Sequence, residues 1–84
     1  MPILPGHAKE LESTVCDLKS TGKGKGGGAC TAAAFLEAFV EPGVNFAHVD
    51  VAGPAMLSSP QAYMPENGSG FGVQAIVQYL EARA

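Results

Sequence analysis

The apolar positions of this chain predict three helices separated by connections rich in glycine and proline. The first helix is expected from about Ala8 to Leu18, because its apolar residues recur at intervals of four and three and therefore share one face. The second is expected from about Ala29 to Val40, ahead of the stop signals Pro42 and Gly43. The third is expected to begin near 70–72. Its apolar face has the i, i+3, i+4, i+7 pattern of Val73, Ile76, Val77 and Leu80.

The second predicted helix is rich in alanine and apolar on most sides, with only Glu37 and Glu41 clearly requiring water. A helix of this kind is typically buried on more than one face. Because alanine side chains do not hold neighbours apart, other backbone is expected to approach this helix closely.

The residues from Val44 to Val51 predict the one strand of the chain. Phe46, His48 and Asp50 alternate with three apolar residues, so one face is wholly apolar and the other is mixed. A lone strand cannot satisfy its own backbone N–H and C=O groups. Its partners are therefore expected from another segment or another chain.

Two stretches are expected to be connections. Ser20–Gly28 has five glycines within seven positions, which predicts either a flexible tether or a close approach of backbone. Ala52–Gly70 has 19 residues without clear periodicity. Loops of that length are usually functional or disordered, and the methionine and aromatic residues here favour a packed loop.

The composition and net charge serve mainly to exclude classes of protein and of partner. A chain of 84 residues is long enough for one small domain, which buries only about 60% of its unfolded surface. An apolar content of 46% and a charged content of 15% argue against disorder. The formal charge of −3 gives no reason to expect nucleic acid or an anionic membrane as partner, and the apolar runs fall short of the ~20 residues that span a bilayer.

The cysteines indicate a reducing compartment. Cys16 and Cys30 form no disulfide framework, and no charged leader with an apolar run precedes the first predicted helix. Free thiols in the cytosol are therefore expected. Cys30, near a helix N-terminus, is a weak candidate nucleophile, and the alternative is a small packing residue.

Two further motifs carry weak chemical signals. Gly22–Gly27 formally matches the G-x-G-x-x-G of dinucleotide-binding loops, but it follows a helical pattern instead of a strand, so a close-packing turn is the alternative. His48 and Asp50 share one face of the predicted strand. A metal site would need more ligands, and His7 lies in another element, so a hydrogen-bonded pair is the alternative.

Three blocks of sequence, in order, are more specific than these motifs. They are Gly28-Ala-Cys-Thr-Ala-Ala-Ala-Phe-Leu36, Ala47-His-Val-Asp-Val-Ala-Gly53 and Gly68-Ser-Gly-Phe-Gly-Val73. Together with Met1-Pro2, they resemble the leucyl aminopeptidase (cytosol aminopeptidase) family, and the resemblance covers essentially the whole chain.

The resemblance implies that residues 1–84 are the C-terminal segment of that family's catalytic domain. The expected fold is an α/β fragment of a mixed-sheet domain, with about three helices and one strand, incomplete alone. The family's enzymes are cytoplasmic homo-hexamers that use two zinc or manganese ions to remove N-terminal residues from peptides. Their metal ligands and catalytic lysine and arginine lie in motifs that this sequence lacks, and Lys23 and Lys25 match a loop instead. The resemblance therefore implies no catalytic or metal-binding residue here, and no metal held by this segment.

The resemblance does imply a part of the substrate pocket. Thr21, Ala52 and Ala55 match positions that line the pocket for the N-terminal side chain. Thr21 makes that wall more polar than is usual in the family, and Ala55 widens the pocket if Met56 does not fill the space. The implied partners are peptide substrates and the remainder of the catalytic domain. The alternative function is that of a truncated, inactive relative that acts as an interaction or assembly module.

Overall fold

A computed structural model describes residues 2–24 and 27–84 of the chain. They belong to two compact units, whose bounds along the chain are Met1–Val49 and Asp50–Ala84. The described residues contain α1 (Pro5–Lys9), α2 (Gly28–Glu37), β1 (Met56–Leu57), β2 (Asn67–Gly68) and α3 (Val73–Glu81). The expected α/β fragment with three helices is confirmed. Met1, Lys25 and Gly26 lie outside the described residues, and so do the predictions made for them.

The first helix is shorter and lies earlier than predicted. It ends at Lys9, and the chain then turns. The Ser13 hydroxyl oxygen accepts hydrogen bonds from the N–H of Val15 (3.2 Å) and of Cys16 (3.1 Å). These local bonds use donors that a continuing helix would direct to carbonyls four residues earlier. The prediction of a helix to Leu18 is therefore wrong, and Val15 is 88% exposed instead of lying on a buried face.

The core of the first unit is built around α2. Its buried side chains are Leu11, Thr31, Ala33 and Ala34. Leu36, in the last turn of α2, is 48% exposed, and Phe39, in the turn after it, is 69% exposed, although Phe39 packs edge-to-face on Phe35 with ring centres 5.1 Å apart. The described residues therefore cover α2 only in part.

The segment 44–51 is not part of a sheet, so the prediction of a strand there is corrected. The backbone groups of residues 45–51 make no backbone hydrogen bond with the rest of the described chain. Exposure alternates only over residues 46–49, where Phe46 and His48 are half-buried and Val49 is 70% exposed. The physical reason is the one that the sequence raised, because a strand requires a neighbour and the described chain offers none.

The sheet lies instead in the long connection that the sequence left without structure. β1 pairs with β2 in antiparallel register, with Met56 opposite Gly68. Gln61 and Met64 form a further bridge nearer the tip, with N···O distances of 2.9 and 2.7 Å. Leu57 and Met64 are half-buried, as a packed loop requires. The connection 52–70 therefore contains a hairpin with two-residue strands.

The third helix is confirmed close to its predicted start, but its apolar face is uncovered. Each of the four residues on that face is between 48% and 59% exposed: Val73, Ile76, Val77 and Leu80. An apolar stripe normally faces a core. No helix within 2–24 or 27–84 combines the length and hydropathy needed to cross a bilayer.

Candidate pocket wall

Thr21 lies on the wall of a cavity of about 400 Å³ beside the N-terminus of α2. The other lining residues are Glu10, Ser20, Gly22, Gly24, Gly28, Thr31 and Ala32. Thr21 is exposed, and it also borders a second cavity of about 720 Å³ together with Phe35 and Phe39. The first unit thus places one of the three predicted substrate-binding residues at an open concave surface.

Gly22 sits where backbone must pass close to α2. A Cβ atom at this position would lie 2.7 Å from Thr31 Cγ2 and 3.1 Å from Glu10 Oε2. Thr31 is buried, and its hydroxyl donates to the carbonyl oxygen of Gly27 over 3.3 Å. Gly27 precedes the helix with a φ of 65°, which glycine adopts without steric cost. This part of the loop therefore serves close packing, the alternative that the sequence left open.

The acceptor oxygens that line the cavity do not suit a phosphate ligand. Glu10 Oε2 is buried and accepts no hydrogen bond from any described residue. Ser20 and Thr21 line the same cavity and add hydroxyl groups. A carboxylate repels phosphate and favours a hydrogen-bond donor or a cation. The dinucleotide interpretation of Gly22–Gly27 is not supported by these surroundings, and no strand precedes the loop within residues 2–24.

We expect Gly22→Ala to lower the free energy of unfolding of the native gene product that contains this chain by about 1–3 kcal/mol, because the added methyl group overpacks against Thr31. The measurement is the thermal unfolding midpoint. Gly28→Ala is the matched control, since a Cβ there meets no atom within 4 Å and alanine suits a helix better than glycine. An equal midpoint for the two variants would contradict the close approach at residue 22.

Ala52 and Ala55 lie together in the turn 52–55 of the second unit. The N–H of Ala52 donates to Asp50 Oδ1 over 2.9 Å, and the carbonyl oxygen of Ala55 accepts the N–H of Ser69 over 2.8 Å. Ala52 is exposed and Ala55 is half-buried, so both are near the surface. The structure brings these two predicted wall residues into one turn, and it places Thr21 in the other unit.

The remaining candidate residues do not come together as a site. Asp50 accepts the Ala52 N–H, and His48 belongs to the other unit. Cys16 is an exposed free thiol and Cys30 a half-buried one. Among residues 2–24 and 27–84, no three His, Cys, Asp or Glu side chains come together as metal ligands would. These residues do not fit the zinc or manganese pair that the resemblance implies for a complete enzyme.

Two side chains of these sites were missed by sequence reasoning. Glu10 follows α1 directly, and its sequence surroundings assign it no role. Ser69 stands in the sequence only as one residue of the family-like block Gly68–Val73. A carboxylate ahead of a glycine loop and a serine between two glycines are too common to mark a site from sequence alone.

Comparison with known proteins gives one consistent result. Residues 1–77 match the model of the cytosol aminopeptidase family, catalytic domain. The chain is 42% identical over 81 residues to the probable cytosol aminopeptidase of Protochlamydia amoebophila, covering 96% of this chain and 16% of that protein. It is 47% identical over 79 residues to the probable cytosol aminopeptidase of Cutibacterium acnes, covering 93% and 15%.

A third relative, from Aquifex aeolicus, carries the same name and is 44% identical over 72 residues, which are 86% of this chain and 14% of that protein. The chain thus spans about one sixth of the length of the curated relatives it matches. No solved structure matches it.

Proposed function

Because this chain belongs to the cytosol aminopeptidase family, we propose that it is the C-terminal segment of the catalytic domain of a peptidase that removes N-terminal residues from peptides. The observation that carries the proposal is the match of residues 1–77 to that catalytic domain. Since the relatives are about six times longer, most of the proposed enzyme lies outside this chain.

The segment's proposed contribution is a wall of the pocket for the N-terminal side chain, formed by Thr21, Ala52 and Ala55. Two observations support this role. Thr21 borders open cavities, and the two alanines share a surface turn. Small side chains in such a turn leave room for a substrate side chain, whereas the Thr21 hydroxyl offers one polar contact.

The chemistry of hydrolysis is assigned to the remainder of the enzyme. The proposal includes two zinc or manganese ions, a homo-hexameric assembly and a cytoplasmic location, each implied by the resemblance. Because the described residues bring no metal-ligand cluster together, the ions would be held elsewhere. This segment would contribute packing surface and selectivity, and no residue of it would act on the scissile bond.

The proposal is tested on the native gene product that contains this chain, captured with an antibody against α3. We expect a protein of several times 8.6 kDa that releases leucine or alanine from aminoacyl p-nitroanilides. The matched control is the same capture in the presence of excess α3 peptide, which should remove both the protein and the activity. A large captured product without peptidase activity, in a buffer containing zinc or manganese, would contradict the proposal.

The uncovered apolar face of α3 favours one alternative, a truncated relative that binds a partner and catalyses nothing. Val73, Ile76, Val77 and Leu80 would then form the contact with that partner. In the same capture experiment, a product near 8.6 kDa that brings down a second protein would support this alternative and exclude the first.

A further inference from the structure

Ser69 joins three parts of the second unit. Its hydroxyl donates to the carbonyl oxygen of Pro54, and the hydroxyl oxygen accepts the N–H of Phe71 over 3.2 Å. Its backbone N–H donates to the carbonyl oxygen of Ala55 over 2.8 Å. Ser69 lies directly after β2, and its two hydroxyl bonds link the turn 52–55 to the chain that enters α3.

The backbone hydrogen bond of residue 69 depends little on the residue type, whereas the two hydroxyl hydrogen bonds depend on it. Met56 is paired with Gly68, so a bond from residue 69 to residue 55 continues the antiparallel ladder, and any residue except proline could make it. The bonds to Pro54 and Phe71 need a side-chain oxygen. Among the described residues, no backbone N–H donates to the Pro54 carbonyl, so the hydroxyl is its donor.

The hydroxyl therefore acts on the turn that carries Ala52 and Ala55. Pro54 is the direct neighbour of Ala55 in that turn, and a bond to the Pro54 carbonyl restrains the peptide group between them. The two bonds converge on one hydroxyl group, so they restrain the turn and the chain that enters α3 together. Small displacements of a pocket wall alter selectivity because contacts with a substrate side chain fall off steeply with distance.

We propose that Ser69 is a positioning residue for substrate selectivity: its hydroxyl holds the turn 52–55 and so fixes how far the Ala55 wall stands from the N-terminal side chain of the peptide. This inference rests on the proposed function, in which Ala52 and Ala55 line the pocket. Ser69 does not touch the substrate and acts through the Pro54 carbonyl.

The test compares Ser69→Thr with Ser69→Val in the complete native enzyme. Threonine keeps the hydroxyl and valine replaces it with a methyl group of similar shape, so the pair isolates the two side-chain bonds. We expect valine to change the ratio of kcat/KM for leucine and alanine p-nitroanilides by about 3- to 10-fold, mainly through KM, because it alters binding and leaves the reacting groups in place. Threonine should keep the ratio of the unchanged enzyme.

The possible results of this comparison separate the role of Ser69 from the pocket assignment. If valine leaves the ratio unchanged while Ala55→Trp alters it, the pocket assignment stands and the role of Ser69 is overturned. If valine lowers kcat/KM equally for both substrates, the hydroxyl is structural only and the inference is also overturned. If neither Ser69→Val nor Ala55→Trp alters the ratio, or if the native product has no peptidase activity, the proposed function fails and this inference fails with it.

The role of Ser69 can also be tested if Ser69→Val does not fold. If Ser69→Val gives no soluble enzyme, Ser69→Ala replaces it, since alanine adds no bulk and retains the ladder bond to Ala55. A ratio that changes with alanine and returns with threonine supports the inference, and a ratio that is the same in both overturns it.

Discussion

The 84-residue chain made alone is expected to show no cooperative thermal unfolding and no peptidase activity. Leu11 is the one large side chain that is almost fully buried among the described residues, and burying a leucine contributes about 1.5–3 kcal/mol. Within Asp50–Ala84, all of which is described, no residue is buried. Because ordering each residue costs ~1–2 kcal/mol of backbone entropy, such a core is too small to hold the chain folded.

Circular dichroism and calorimetry at several protein concentrations check the first part of this prediction. A gradual loss of helix signal is expected, whereas the complete native product measured in parallel should unfold cooperatively. A sharp, concentration-independent transition of the monomeric chain would refute the expectation. The activity is measured with the p-nitroanilide substrates, and turnover by the purified chain alone would show that hydrolysis does not require the remainder of the enzyme.

Ala55→Trp in the complete enzyme is expected to shift preference strongly toward small N-terminal residues. The indole would occupy the space next to the turn 52–55 where the proposed pocket admits a substrate side chain. Because excluding even a few methylene groups costs several kcal/mol, kcat/KM for the leucine substrate should fall at least about 10-fold relative to the alanine substrate. The measurement is that ratio, taken with alanine, leucine and methionine p-nitroanilides.

The matched control is Ala82→Trp, the same chemical change at the C-terminal cap of α3, beyond the residues that match the family. It should leave the selectivity as it was. Equal selectivity of the Ala55 variant and the unchanged enzyme across all three substrates would remove Ala55 from the pocket. It would also remove the basis for a positioning role of Ser69.

The helices show what local pattern can and cannot predict. The starts of α2 and α3 were predicted within a few residues because their apolar patterns follow glycine turns, whereas α2 ends at Glu37, before the predicted Val40. α1 was misplaced because the periodicity of Leu11, Val15 and Leu18 extends past Ser13. There the serine hydroxyl takes the N–H groups of Val15 and Cys16. Periodicity alone does not reveal this competition between a side chain and the backbone.

The strands show that a strand-like composition is neither sufficient nor necessary for a strand. Val44–Val51 has the composition of a strand but lacks a neighbour among the described residues, whereas β1 and β2 have two residues each and no strand signal in their sequence. A strand exists only as a pair, so its prediction from one segment depends on another. The hairpin pairs residues that are 10 and 12 positions apart, a relation that composition does not indicate.

The candidate site could be predicted only through family resemblance. Nothing in the pattern around Thr21, Ala52 or Ala55 distinguishes a pocket wall from an ordinary loop. The cavity beside Thr21 depends on Glu10 and Thr31, which are distant in sequence and come together through folding. They come together because α1 packs against α2, and the order of residues along the chain does not indicate that contact.

When no other segment pairs with it, the unpaired segment 45–51 can promote aggregation of the chain. Its free N–H and C=O groups can be satisfied by identical segments from other copies, the arrangement of cross-β fibrils. The segment contains no proline to prevent such stacking. Its one carboxylate, on Asp50, would recur about every 4.8 Å along a fibril and repel its neighbours. We therefore expect Asp50, which accepts the N–H of Ala52, also to oppose aggregation of the chain.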